Sequence, residues 1–341
     1  MVQRSLVKLI EQENLTQNEA KMLMGNILEG KLSSAQIAAV LTAFRIKGET
    51  VEELSGLAAS MQAKALRLPK MLQHAVDTCG TGGDGGKTFN ISTASAIVAA
   101  AAGVPVAKHG NRAVSGKSGS ADVLEALDIN IQITPDEAVE MLSKTNICFL
   151  FAPLFHHGMK NVMPTRKELG FRTCFHLLGP LSNPAGVRKQ LMGVFDFRLT
   201  DTIAHTLLSL GTERAMVVAG LDGMDEITLA GETQISEVQN GKVFTYRITP
   251  EELGLERADP KELEGGNATE NAEIVRSIFQ GERGPQRDIV LVNAGAVLTI
   301  AGTASCLQEG IHLAAETIDH GKAQAKLEEM VQGTKEVSHV S

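Results

Sequence analysis

Asp77-Thr-Cys-Gly-Thr-Gly-Gly-Asp-Gly-Gly-Lys-Thr-Phe-Asn-Ile-Ser-Thr93 is the stretch whose reading decides the fold. A short apolar run, Ala75–Thr78, enters it, and the alanine-rich segment Thr93–Ala102 leaves it with a helical pattern. Strand, glycine loop and helix in that order form the unit from which α/β folds are built. Gly80, Gly82, Gly83, Gly85 and Gly86 free the backbone to adopt positive φ and to approach a ligand closely, and the helix that follows presents its positive end. Amides arranged in this way receive phosphate. For the glycines alone, a plain turn capped by Asn90 or Ser92 explains the stretch equally well. Asp84, Thr88, Asn90, Ser92 and Thr93 add polar groups that favour the phosphate cradle. The loop has neither the G-K-[ST] ending of a Walker A motif nor the G-x-G-x-x-G spacing of a dinucleotide site.

Working outward, further short apolar runs predict strands at Pro105–Lys108, Cys148–Phe151, Ala215–Ala219 and Ile289–Val292. Helices are expected at Ala121–Ala126 and Pro135–Lys144, the second opened by the capping box Thr134-Pro-Asp-Glu137. Alternating residues between 225 and 249, such as Lys242-Val-Phe-Thr-Tyr-Arg-Ile248, suit antiparallel strands added to a mostly parallel sheet. Upstream, three capping boxes, Thr16-x-x-Glu19, Ser33-x-x-Gln36 and Thr50-x-x-Glu53, open helices that follow a first one over residues 3 to 13, and Gly30 and Gly48 mark stops. The fold class expected is α/β: a small all-helical N-terminal domain over residues 1–72, and a larger α/β domain over 73–165 and 185–341.

Composition narrows the function. The chain of 341 residues is 43 % hydrophobic and 21 % charged, as in globular proteins. The N-terminal segment, charged and periodic, has no secretory pattern, and a cytoplasmic protein without a membrane span is expected. Cys79, Cys148, Cys174 and Cys306 have no metal-binding or disulfide spacing. A net charge of −8 and an aromatic content of 4 % argue against nucleic acid as a partner. An anion site must therefore be local. Residues 85 to 121 contain no Asp or Glu but hold Lys87, Lys108, Arg112 and Lys117, and residues 141 to 167 are likewise free of acids.

Gly80-Thr-Gly-Gly-Asp84, Thr88, Asn90-Ile-Ser-Thr93, Lys108-His-Gly-Asn-Arg112, Gly119-Ser-Ala-Asp122, Arg166-Lys-Glu-Leu-Gly170, Gly179-Pro-Leu-Ser-Asn-Pro184 and Met224-Asp-Glu226 together resemble the anthranilate phosphoribosyltransferase family over nearly the whole chain. The resemblance implies transfer of the phosphoribosyl group of PRPP to the amino group of anthranilate, toward tryptophan, with release of pyrophosphate. It places Gly80, Gly83, Asp84, Thr88, Asn90, Ile91, Ser92, Thr93, Lys108, Asn111, Arg112, Ser115, Gly116 and Ser120 around PRPP. It places Gly80, His109, Asn111 and Arg166 around anthranilate, and Mg2+ at Ser92, Asp225 and Glu226. It also implies a homodimer and a return of residues 166–184 to the helical part.

The residues fit those roles on chemical grounds. Arginine's planar fork matches a carboxylate, although without the resemblance Arg166 reads first as a surface helix residue. Mg2+ is held by one or two carboxylates together with substrate phosphates, although adjacent acids are commonly just solvated. The sequence departs from the family pattern at Gly116, at His157-Gly158 and at His176. Two rivals are a pyrimidine nucleoside phosphorylase, which would use inorganic phosphate, and a nucleic-acid-binding paralogue, which would need a basic surface.

Overall fold

The computed structural model describes residues 2–82, 88–113 and 116–338. The chain opens with four helices, α1 (Val2–Ile10), α2 (Gln17–Leu28), α3 (Ser34–Lys47) and α4 (Val51–Lys64). Each of the last three starts at the capping box read from the sequence: Thr16, Ser33 and Thr50 accept from the amides of Glu19, Gln36 and Glu53, whose side chains return to the cap amides. Gly48 ends α3 at φ +82°, where a side chain would be strained.

Then come β1 (Val76–Asp77), α5 (Ile91–Ala101), β2 (Val106–Gly110), α6 (Ser120–Ala126), α7 (Pro135–Thr145), β3 (Ile147–Phe151), α8 (Ala152–Phe155), α9 (Met163–Leu169) and α10 (Phe175–Leu178). β4 (Lys189–Gly193), α11 (Thr200–Ser209), β5 (Arg214–Gly220), β6 (Thr233–Gln239) and β7 (Lys242–Ile248) complete the sheet. Four helices close the chain: α12 (Ala268–Phe279), α13 (Pro285–Ala301), α14 (Leu307–Asp319) and α15 (Lys322–Ser338).

The strand order is β3-β2-β1-β4-β5-β6-β7, parallel from β3 to β5 and antiparallel at β6 and β7. The parallel strands are buried almost throughout because helices cover both faces. Period-two alternation sorts their side chains: Met216 and Val218 join a core with α5 and α13, whereas Ala215, Val217 and Ala219 join one with α11 and the N-terminal helices. The second core also takes in Cys174, Phe175, Leu177, Leu178 and Leu181, and Gln62 of α4 donates to the Leu181 carbonyl at 2.8 Å. The segment after α9 thus packs on the helical bundle and on the sheet at once.

One expectation needs correction, and one strand was not foreseen. Ile289–Val292 is not a strand but the middle of α13, a helix buried along almost all its length. A buried helix is apolar on every side, so a short window of it reads like a buried strand. Pro285 at its start and Gly302 at φ +87° at its end are the punctuation of a helix. Conversely, β4 begins with Lys189 and Gln190 and was hidden by their polarity, although Gln190 is buried with its amide on the Pro180 carbonyl at 3.0 Å.

Candidate active site

Strand order reverses between β1 and β4, and in open α/β sheets the crevice beyond the carboxyl ends at such a point receives the ligand. The glycine loop leaves β1 there. Thr81 donates its amide to the Gly193 carbonyl at the end of β4, 2.9 Å away. The turn after β5 comes to the same place. A Cβ added to Gly193 would lie 1.5 Å from the Asp225 carbonyl oxygen, and one added to Gly80 would lie 3.2 Å from Asp225 Oδ2. Gly80, Gly193 and Asp225 therefore meet because two of them lack side chains. Asp225 and Glu226 are half-buried, and their turn is braced from both ends. Asp222 accepts from the Met224 amide at 3.1 Å and the Thr228 hydroxyl at 2.8 Å. Fully buried Asn293 holds both backbone groups of Ile227, at 3.0 and 3.1 Å.

On the other flank, Lys108 of β2 is buried and its Nζ donates to the Thr78 carbonyl, the Thr78 hydroxyl and Ser92 Oγ at 3.2, 3.0 and 3.2 Å. The cation is thus brought to the first turn of α5, where Ile91 and Thr93 are buried and Thr93 Oγ1 has no partner. Asn90 precedes that helix, but its amide binds Ser118 and Asn271 instead of capping it. Thr88 bridges to Glu264. Asn111, Ser120 and Gly119 stack closely, with Ser120 Oγ donating to the Asn111 carbonyl at 3.2 Å, and Gly116 forms a half-buried bend beside them. Gly83, Asp84 and Ser115 lie outside the described residues.

The two arginines singled out in the sequence have opposite surroundings. Arg112 is bound by Asp122 at 3.0 Å and by Glu125 at 2.9 Å, so its charge is neutralised within the chain. Arg166, on α9, has no carboxylate partner among the described residues. Its guanidinium lies 5.2 Å from the centroid of the Phe175 ring, and burial pulls its pKa below the ordinary value. A half-buried cation without an internal anion is a ready receptor for a ligand carboxylate.

His109 follows Lys108 and faces that same segment. Its Nδ1 is 3.2 Å from the Gly179 carbonyl, which only accepts, so Nδ1 carries the proton and Nε2 presents a lone pair. That Nε2 is buried without a partner, as is Nε2 of His156, whose ring centroid is 5.2 Å away. Burial, and then the neighbouring imidazole, hold His109 down to about 3, and burial holds His156 down to about 4. Both rings are neutral acceptors at pH 7. His176, by contrast, turns its Nδ1 to Thr173 of its own turn.

Among the described residues no group of three or more His, Cys, Asp or Glu side chains could hold a metal unaided. Asp225 and Glu226 supply hard oxygens beside the glycine-rich segment that leaves β1, which fits a divalent cation that takes its remaining ligands from a bound anion and water. Sequence reasoning gave no role to Asp77, Asn183, Gly193 and Asn293, the residues that hold these pieces together; Asp77, at the head of the glycine stretch, and Asn183, within the Gly179–Pro184 motif, stood in stretches it singled out.

A helical bundle leading into a switch-point crevice with a glycine-rich segment, an acidic pair and a half-buried arginine is the arrangement of a group-transfer enzyme. Family models agree: the helical bundle domain of the glycosyl transferase family matches residues 3–65, and its a/b domain matches residues 72–324. Anthranilate phosphoribosyltransferase of Acetivibrio thermocellus is 53% identical over 334 residues, covering 98% of this chain and 97% of that one. The crystal structure of anthranilate phosphoribosyltransferase from Thermus thermophilus superposes with a TM-score of 0.91 at 42% identity, covering 97% of this chain and 99% of that one. The Saccharomyces cerevisiae enzyme, solved in complex with PRPP and Mg, gives a TM-score of 0.89 at 26% identity with 98% of each chain covered. The same yeast enzyme has been solved in complex with 4-fluoroanthranilate. The chain belongs to the anthranilate phosphoribosyltransferase family.

Proposed function

We propose that this chain transfers the phosphoribosyl group of PRPP to the amino group of anthranilate, releasing pyrophosphate, in tryptophan biosynthesis. The observation that carries this reading is the approach of Gly80 to Asp225 at the switch point, beside a lysine brought to the head of α5 and near a segment whose Arg166 has no carboxylate partner among the described residues. In this reading the amides from Gly80 onward and the Ser92 and Thr93 hydroxyls hold the phosphates of PRPP, with Asn90, Lys108, Asn111 and Ser120 lining the same space. Arg166 takes the carboxylate of anthranilate. His109 Nε2 accepts a hydrogen bond from the amine and so aims its nitrogen at the anomeric carbon.

An aryl amine is neutral at pH 7, and an imidazole held down to about 3 is a weak base, so His109 orients and does not strip a proton before attack. The carbon–oxygen bond to pyrophosphate breaks, the amine attacks the opposite face with inversion, and the rate comes mainly from alignment and from stabilising the leaving charge. Asp225 and Glu226, with Ser92, would hold Mg2+, which neutralises charge on the departing pyrophosphate when bound. The yeast relative's complex with PRPP and Mg supports that assignment. Neither a nucleoside phosphorylase nor a nucleic-acid-binding role is favoured, since full-length relatives carry the transferase name.

The proposed division of the chain is a helical part over residues 1–72 with 166–184 packed back on it, and an α/β part over 73–165 and 185–341. The shared core of α1–α4 with residues 174–181 supports it. A homodimer through the helical part is proposed from the exposed Val7, Ile10 and Ile46. A cytoplasmic location completes the reading. The decisive assay mixes protein, PRPP, Mg2+ and anthranilate and follows the loss of anthranilate fluorescence; the reading fails if loss of signal needs inorganic phosphate or does not need PRPP.

A further inference from the structure

The described molecule holds one buried carboxylate that contacts neither substrate space yet touches the supports of both. Asp77 ends β1 and is fully buried. Its Oδ1 accepts from the Cys79 amide, at the root of the glycine loop, and from the His109 amide, each at 3.1 Å. Its Oδ2 accepts from Asn183 Nδ2 at 2.8 Å. Asn183 closes the segment that carries Phe175 and Gly179, and its own orientation is fixed: Nδ2 also donates to the Ala107 carbonyl at 2.9 Å, and Oδ1 accepts from the Ala185 amide at 2.8 Å.

We propose that Asp77 is a positioning residue for phosphoribosyl transfer, fixing the spacing between the phosphate loop and the acceptor wall formed by His109 and the 175–183 segment. The proposal rests on the transferase reading above. The chemistry requires a carboxylate at this point. Three donors converge on the side chain, and an amide could satisfy the two backbone N–H groups only by pointing its NH2 at the NH2 of Asn183. Asn183 cannot turn to relieve that clash without abandoning Ala107 and Ala185.

Charge supports the same arrangement. Burial pushes the Asp77 carboxyl up to about 6, and the Lys108 cation is the largest influence that opposes burial. Lys108 in turn fastens Thr78 to Ser92. The carboxylate and the ammonium therefore brace the root of the loop from its two sides.

Asp77 touches no reacting atom, so its loss should fall on alignment. Misplacement by about 1 Å costs on the order of a hundredfold in rate. The Asp77→Asn variant is expected to lose about 10- to 100-fold in kcat per folded molecule, with KM for PRPP and for anthranilate moving by less than about threefold. Folded protein is counted by the stoichiometry of PRPP binding in calorimetry, so that a simple loss of native protein does not register. Asn183→Asp alone sets two carboxylates face to face and sets one of its oxygens against the Ala107 carbonyl; the double variant Asp77→Asn/Asn183→Asp relieves the first clash by pairing an amide with a carboxylate and keeps the second. The double variant should therefore exceed Asn183→Asp in kcat, a coupling that independent structural damage does not produce.

Should Asp77→Asn fail to fold, Asn183→Ala decides: it leaves Asp77 on its two backbone donors and is expected to lower kcat by about fivefold or more at little change in KM. A kcat within about twofold of wild type for whichever of Asp77→Asn and Asn183→Ala folds, or a double variant no better than Asn183→Asp, overturns the proposal. Wild-type protein that consumes no anthranilate overturns the transferase reading, and the proposal with it.

Discussion

Removing the Arg166 side chain tests the acceptor half of the site, because no described carboxylate pairs with that guanidinium. Hydrogen bonds to charged groups contribute about 1.5–3 kcal/mol each, and 1.4 kcal/mol is a factor of ten. Arg166→Ala should therefore raise KM for anthranilate by about 10- to 150-fold if one such interaction is removed. The fold should hardly notice: within the chain the guanidinium gives up its cation–π pair with Phe175 at 5.2 Å, worth up to about 1 kcal/mol at a partly exposed site. Arg166→Lys keeps the charge but loses the planar fork, and should fall between the two. The assay compares anthranilate with aniline, which has the amine but no carboxylate, by initial rates at saturating PRPP and Mg2+. Wild type should prefer anthranilate strongly, and Arg166→Ala should lose most of that preference. If both proteins discriminate between the two amines to the same degree, the carboxylate is bound elsewhere and the assignment is wrong.

Three other perturbations follow from the same geometry. Gly193→Ala drives a methyl into the Asp225 carbonyl, at a separation of 1.5 Å, so the acid turn must move; a cost of about 1–3 kcal/mol in stability and a raised Mg2+ requirement are expected, read from urea unfolding and from a magnesium titration of activity. Asn293→Ala leaves the Ile227 N–H and carbonyl buried without their partner, which should destabilise by about 1–3 kcal/mol and again raise the Mg2+ needed for half activity; an unchanged magnesium curve would detach Asn293 from the site. For pH, the unfolded chain takes protons on His109 and His156 as pH falls through about 6.5, whereas the folded chain resists until about 3 and about 4 respectively, so stability is lost over that interval. Asp77 runs in the opposite sense, its raised folded pKa adding stability as pH falls through about 6 toward 3.8. Burial raises Glu49 and Asp288 as well and lowers His176, so the test is a difference: between pH 6.5 and 4.5 the urea midpoint should fall less, or rise more, in His109→Gln than in wild type, and identical pH dependence in the two proteins would contradict the buried-histidine account.

What the sequence determined by itself was local. Capping boxes at Thr16, Ser33, Thr50 and Thr134 act over one helical turn, and all four helices begin where those boxes stand. The glycine loop and the spaced motifs were legible because turn chemistry and anion binding depend on neighbouring residues, and they were enough to point to the family. Where locality failed, so did the reading: the buried run Ile289–Val292 looks alike in a strand and in a helix, and polar Lys189 and Gln190 concealed a central strand.

Only the tertiary structure decided which polar groups are spent and which remain for a ligand. Arg112 and Arg166 look equally available in sequence, but α6 brings Asp122 and Glu125 to the first, and no described acid reaches the second. Asp77 and Asn183 are 106 residues apart, and Gly193 meets Asp225 through the placement of β4 between β1 and β5. Contacts of this kind are set by strand order, a global choice about which faces are buried together, and no local periodicity records that choice.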